Sequence, residues 1–487
     1  MRILLLVVLL SASVVTVRAA DRPVAGTRLL LQAGARVTSR RAAIELLDSG
    51  IALPVPDPRT GVTTLVIHGG AATGQCFVAV PLDPLRWHVL GRRAAPRGYR
   101  YRPPRTGASG LKRVQVTGGR ISVTARGAEF PCDLAAAQRM PLTVELRLPD
   151  TRYCAAFGGT VATNVPGRIE ASGAPAPASC PKTDVTVADL NILHGIFCPP
   201  ASVNCRYADR LDLLFQWIAA RGCPDVVTLQ EVYSVEEPQI EARLPGPCPF
   251  PYYPVYVRTN VFDDALILTR WPASSVEVHV LYKNFRNVLF ARLDHPLGPL
   301  DLFSTHLASG SDGAQNPCTG DCPAECVAAG ATTVRECQGV QLAGWVAARH
   351  DRPGPSVLTG DFNESPGTFV YQQMTARGWP DTYLAAGNAE CVPATGAGCT
   401  SGRADEDLSQ LESGASNESE RIDFIFLVSP GVGTCALDSP ADADTDGTAT
   451  RLFADQPNPF APTCGPVPDA VCWPSDHVGT ELDLNCR

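Results

Sequence analysis

Eight polar residues stand in the sequence where chemistry could be done: Asn191, Glu231, His306, Asp361, Asn363, Asp423, Asp476 and His477. Most of them close or open an apolar run. Asp361 and Asn363 follow "SVLTG" and sit two apart, so in an extended chain they point the same way. Glu231 ends "VVTLQ", His306 ends "LDLFST", and Asp423 opens "DFIFLV". Strand ends share one rim of a sheet, so scattered positions of this kind can converge on one cleft. Their types suit hydrolysis of a phosphoester. A lone Glu with waters suits Mg²⁺, a hard ion that keeps much of its hydration. Such a metal offsets charge on phosphoryl oxygens, a carboxylate orients water, and imidazole meets the charge of the transition state. Taken singly, each residue has a plainer reading: Asn191 or Asp423 as a turn or cap, His306 as a packed strand histidine, "GDFN" as a strand-to-turn signal. Their joint occurrence is what points to a site.

The elements that must position these residues occupy about 181–487. "DVTVADLNIL" reads as a strand, and "ADRLDLLFQWIAARG" as a helix stopped at Gly222. "PDVVTLQEV" and "DDALILTRW" read as buried strands, "NVLFARLDH" with "GPLDLFSTHL" as a hairpin, and "ECQGVQLAGWVAARH" as a helix. "SVLTGDFN", "ERIDFIFLV" and the end of "CWPSDHVGTELDLN" complete an α/β domain. Between about 25 and 170 the pattern is instead short alternating runs broken by Gly and Pro, an all-β sandwich-like module with little helix beyond "CDLAAAQRM". The first twenty residues have the apolar run and small-residue end of a secretory signal. The expected division is therefore a signal peptide (1–20), a basic all-β module (21–170), an Ala/Pro-rich linker (171–183) and a catalytic domain (184–487). The protein is expected to be secreted, periplasmic or at the cell surface, and monomeric.

Charge and cysteine divide along the same line. Residues 1–180 hold 23 Lys+Arg against 10 Asp+Glu; of the whole chain's 41 and 49, that leaves 18 and 39 for residues 181–487. Two regions of opposite sign suggest different partners. In the basic part, Arg92, Arg93, Arg97, Arg100, Arg102, Arg105, Lys112 and Arg113 surround Tyr99 and Tyr101, a composition that can bind a polyanion and can equally be a solvated face. Eighteen cysteines in an exported chain imply disulfides first, with zinc a secondary reading at Cys318, Cys322, Cys326 and Cys337. The run "DADTDG" offers Asp442, Asp444 and Asp446 to Ca²⁺, but Phe453 stands where an EF-hand needs Glu, which leaves a looser Ca²⁺ site or a solvated acidic loop.

In order, "LNILHG", "DVVTLQEV", "ALILTRWP", "FSTHL", "GDFN", "RIDFIFL" and "PSDH" resemble the motifs of the endonuclease/exonuclease/phosphatase family, which includes deoxyribonuclease I and secreted sphingomyelinases. The resemblance covers about 184–484 and implies a four-layer α/β sandwich. It implies Glu231 as principal Mg²⁺ ligand (Mn²⁺ substituting), with Asn191 and Asp476 beside the metal. It implies Asp361 as the residue that orients and deprotonates water, Asn363 as a phosphate contact, and His477 at the scissile phosphate, oriented by Asp423. His306 matches the deoxyribonuclease and sphingomyelinase branches, yet no carboxylate partner for it can be placed. The expected function is a metal-dependent phosphodiesterase. The acidity of 181–487 and its two lysines, Lys182 and Lys283, favour a phospholipid head group over nucleic acid. A secreted endonuclease and a non-catalytic surface-binding protein are the alternatives.

Overall fold

The structure, a computed structural model, describes residues 20–486 apart from 34–39, 62, 69–75, 105–109, 128–129, 131, 139, 181–184, 195–202, 235, 245, 247, 259–263, 284–285, 296–297, 311–312, 351–353, 404–408, 416–417, 431–434 and 438–449. The signal sequence up to residue 19, Arg105 and the acidic loop of Asp442, Asp444 and Asp446 lie outside the described residues. Two compact units form: Met1–Ile67 with Val80–Pro131 and Met140–Cys180, and Pro181–Arg487 with His68–Ala79 and Cys132–Arg139.

The N-terminal region is all-β and almost wholly antiparallel. Eight strands form one sheet and five the other, with the short strand Ala20–Pro23 adding in parallel at an edge. In the first unit the sheets meet closely: a side chain at Gly26 on one would collide with Phe157 of the other, 2.4 Å from the new Cβ. Strand alternation sends Leu29, Leu31, Ile44, Val114, Val116, Ile121 and Val123 inward. Two sequence expectations differ here. "CDLAAAQRM" forms no helix over its described residues; Cys132 is tied to Cys76, and the Gln138 side chain accepts a hydrogen bond from Cys76 N (2.6 Å). The stretch 171–183 is not wholly a linker, because the strand Arg168–Ala174 runs into it and Cys180 is buried in a bridge to Cys154.

The second unit stacks four layers. One sheet centres on the strands Val185–Asn191 and Val226–Val232, which run parallel, with Gly479–Cys486 antiparallel on the other side of the first. The second sheet has the order Ala273–Val280, Asn287–His295, Gly298–His306, Ser356–Asp361, Asp423–Ser429. Val187, Val226, Leu302, Val357, Ile425 and Leu482 fill the space between the sheets. The helix Val203–Ala220 covers the outside of the first sheet through Leu211, Leu214 and Ile218. The helix Val334–Arg349 starts at a capping box of Thr333 and Glu336 and covers the second through Leu342 and Val346.

Seven disulfides join described residues, each within 20–180 or within 181–487. Cys318 pairs with Cys322 and Cys326 with Cys337, which leaves those sulfurs no thiolate to offer zinc. Seven bridges point to an oxidising compartment. Among the described residues no helix is long and apolar enough to cross a membrane.

Candidate active site

The pairing register builds the site. His306 lies opposite Asp361 across a parallel pair, and Asp423 lies opposite Asp361 across an antiparallel pair, so three neighbouring strands present three functional side chains in one row. Gly360 makes this approach possible: its φ is +142°, and a Cβ there would sit 2.0 Å from the carbonyl oxygen of Thr305. Asn191 ends its strand on the facing sheet. Glu231 interrupts its own strand with φ +58°, where the pairing register shifts. Asn363 has φ +51°, which Asn tolerates better than most residues, and its N–H donates to Asp361 Oδ1 (2.8 Å). A non-glycine residue held at positive φ is a strained choice, and two occur here beside carboxylates.

The eight sequence-derived residues form one connected cluster. The Asn191 amide donates to Glu231 Oε1 (2.9 Å) and to Asp361 Oδ2 (3.1 Å), while its Oδ1 accepts from Leu193 N (3.0 Å). The same Asp361 Oδ2 lies 3.4 Å from His306 Nε2 and 3.9 Å from His477 Nε2. His477 Nδ1 sits 3.0 Å from Asp423 Oδ2, and its Nε2 is 4.0 Å from Asp476 Oδ2. Asn363 Nδ2 donates to the carbonyl of Leu307 (2.9 Å) and lies 3.1 Å from His306 Nε2.

Four further residues take part that the sequence reading did not single out. Arg286 Nη1 lies 2.7 Å from His306 Nδ1 and can only donate, so Nδ1 is the acceptor and the ring proton belongs on Nε2, toward Asp361. Among the described residues, the Nδ1 side of His306 meets a guanidinium. His194, inside the "LNILHG" motif, places its Nε2 3.5 Å from Glu231 Oε2, and its N–H donates to the same oxygen (3.2 Å). Arg210 is fully buried and donates to the carbonyls of Ile192, Leu193, Cys205 and Pro474, which joins the turn after Asn191 to the segment before His477. Arg403 stacks on Trp473, pairs with Glu418 and donates to the carbonyls of Ser475 and His477.

These surroundings set the charges. Burial, reinforced by Arg286, lowers His306 to about 4, so it is neutral at pH 7. Burial would also lower His477, but Asp423, Asp476 and Asp361 together raise it well above the ordinary value. Its partner Asp423 is pushed up to about 6, chiefly by burial and then by Asp361 working against His477. The pair therefore shares one tightly held proton. Burial opposes ionisation of Glu231, yet His194, His306, the Asn191 amide and His477 outweigh it and hold the carboxyl below its usual range.

The donor set fits a hard divalent cation. Half-buried Glu231 and buried Asn191, Asp361 and Asp476 supply oxygen atoms within one cluster, and Asp361, Asp423 and His477 have ligand atoms within 4.8 Å of one another. Oxygen donors of this kind suit Mg²⁺ or Mn²⁺ better than a thiophilic metal.

The sequence model of the Endonuclease/Exonuclease/phosphatase family matches residues 190–477, a span that includes all eight residues. The chain belongs to this family. Solved members with a similar fold include a family protein of Bacteroides vulgatus, at 19% identity and a TM-score of 0.43, covering 63% of this chain and 100% of that one. Truncated TDP2 of Caenorhabditis elegans matches at 16% identity and a TM-score of 0.40, over 62% of this chain and 98% of that one. A mannosyl-6-phosphatase of Bacteroides thetaiotaomicron matches at 16% identity and a TM-score of 0.42, over 62% and 99%. No curated protein matches the chain significantly. Membership brings a phosphoesterase fold, in a family that commonly uses Mg²⁺.

The basic stretch singled out in the N-terminal region is placed differently from a polyanion cleft with stacking aromatics. Tyr99 and Tyr101 are 4% and 5% exposed, because strand alternation turns them into the core beside Trp87. Arg92, Arg93, Arg97, Arg102, Lys112 and Arg113 are exposed, and Arg100 is half-buried with its Nε on Gln115.

Proposed function

We propose that the protein is an exported, metal-dependent phosphodiesterase that hydrolyses its substrate by direct attack of water. The observation that carries this reading is the position of Asp361 Oδ2, on which the Asn191 amide, His306 Nε2 and His477 Nε2 converge. Asp361 receives the proton of the attacking water as its oxygen bonds to phosphorus and the ester P–O bond breaks. Asn363 N, on Asp361 Oδ1, fixes the carboxylate plane so that Oδ2 faces the water. His477, protonated and anchored by Asp423, donates from Nε2 to the phosphoryl oxygens as they gain charge. His306, neutral and held by Arg286, offers a second N–H from Nε2. Glu231, with Asn191 and Asp476, would hold Mg²⁺, which when bound offsets phosphoryl charge and acidifies water.

For the substrate, the balance of 18 basic to 39 acidic residues in 181–487 disfavours a long phosphate backbone and favours a single phosphodiester such as a phospholipid head group. Hydrolysis of bis-p-nitrophenyl phosphate with Mg²⁺, abolished by EDTA, tests the chemistry. A parallel assay of sphingomyelin, phosphatidylcholine, plasmid DNA and RNA tests the class. Plasmid degradation without release of phosphocholine would replace the lipid reading with the secreted nuclease. No metal-dependent turnover on any of these would leave a non-catalytic binding protein.

A further inference from the structure

The pairing register of the eight-stranded sheet assembles a surface that no single stretch of sequence shows. Its inward side is apolar. On its outward side, Arg168 lies opposite Gln32, Gln32 opposite Arg41, and Arg41 opposite Arg126, a row that crosses four strands. Further along the same side, Arg28 faces Glu45, Arg113 faces Thr124, Arg100 faces Gln115, and Arg120 faces Leu47. Among the described residues of these strands, seven outward arginines (28, 41, 100, 113, 120, 126 and 168) meet two outward glutamates, Glu45 and Glu170, which leaves +5. The glutamates are engaged by Arg120 (2.5 Å) and Arg168 (2.6 Å). Arg41 and Arg100 hydrogen-bond to amide side chains, Gln32 and Gln115.

We infer that this outward face docks the protein on an anionic lipid surface. Its shape is the first reason. Eight strands at about 4.8 Å spacing make a face roughly 34 Å across, wide enough to meet many head groups at once. Its composition is the second. The same face exposes Leu47 (45%) and Val165 (50%), aliphatic groups that a bilayer accepts and a phosphate backbone does not use. The two tyrosines that could stack on bases face the core instead, and among the described residues of this region there is no α-helix to enter a groove. Arginine suits the task because its planar fork pairs with phosphate oxygens in two places.

The experiment is co-sedimentation of the full-length protein with extruded vesicles, in EDTA so that hydrolysis does not enter. Vesicles of phosphatidylcholine with about 30 mol% phosphatidylglycerol should bind it, and pure phosphatidylcholine should not. Each arginine near an anionic surface is worth about fivefold in partitioning, so the triple variant Arg100→Gln, Arg113→Gln, Arg126→Gln should bind roughly 100-fold more weakly. Arg113→Gln alone should lose about fivefold, which keeps a reading should the triple variant fold poorly. Raised salt should release the wild type. Equal binding to neutral vesicles, no binding to anionic ones, or unchanged binding by the variants would overturn the proposal. Capture by duplex DNA or heparin without capture by anionic vesicles would overturn it too.

Discussion

Acidification should expose the environment of His306. The ring is buried against Arg286, and its pKa falls from the ordinary 6.5 to about 4. Between those values the unfolded chain takes up a proton that the folded one refuses, so the unfolded state binds more protons and stability rises with pH across the window. The contribution is complete above 6.5 and is lost as pH falls toward 4. Each unit is worth about 1.36 kcal/mol, so the wild type should lose roughly 3 kcal/mol from this residue alone. Many carboxylates titrate nearby, and the comparison must remove them. His306→Gln keeps a polar side chain that does not titrate, so the difference in stability between the two proteins isolates the histidine. Urea unfolding followed by tryptophan fluorescence reports mainly on the second unit, because five of the six tryptophans (Trp217, Trp271, Trp345, Trp379 and Trp473) lie in residues 181–487. Done in EDTA at several pH values between 4 and 7, the wild type should fall relative to the variant as pH drops. A constant difference across that range would refute a neutral His306 held by Arg286. In an Arg286→Met background the drop should shrink, since the guanidinium is one of its causes.

Asp361→Asn and His477→Ala should each lower turnover of bis-p-nitrophenyl phosphate by about 10²-fold or more with the fold kept, as judged by circular dichroism. Glu231→Gln should raise the Mg²⁺ concentration needed for half-maximal rate, read from a metal titration. Asp423→Asn removes the carboxylate that most raises His477, so the alkaline limb of the pH–rate profile should move to lower pH. Gly360→Ala should fail to fold or lose activity, because its Cβ would strike backbone in the neighbouring strand; a soluble, fully active variant would show that the strands can separate there.

Much of the site was legible in the sequence because its residues sit at the ends of strong apolar strands and in short local motifs. The order of strands and helices pointed to an α/β domain, and the four-layer arrangement was what the family resemblance implied. Apart from the Asp423–His477 pair, which the resemblance implied, the partners of those residues were not legible. Arg286 precedes one strand and His306 ends the next, and only the antiparallel pairing of 287–295 with 298–306 brings them together. Arg210 and Arg403 look like ordinary charged residues in the sequence, yet each is buried because it satisfies several backbone carbonyls from distant segments. The interleaved arginines and tyrosines of 91–113 suggested one mixed surface. A strand separates alternate residues onto opposite faces, so the tyrosines went inside and the arginines joined others from strands far away in sequence. The Ala/Pro-rich stretch read as a linker from composition alone, which carries no information about a pairing partner such as Gly26–Gln32.

The strand Gly479–Cys486 inserts beside Val185–Asn191 in the interior of its sheet, although nearly three hundred residues separate the two in the chain. The short segment just before it carries Asp476 and His477, and Ser475 donates to the carbonyl of Asn191. A partially synthesised chain therefore lacks both the wedge that completes the sheet and the imidazolium beside Asp361. The proposed hydrolysis therefore requires synthesis to run past His477, and a chain stopped short of that point carries no such activity. Premature termination anywhere before residue 475 should give a protein that is hydrolytically silent as well as misfolded.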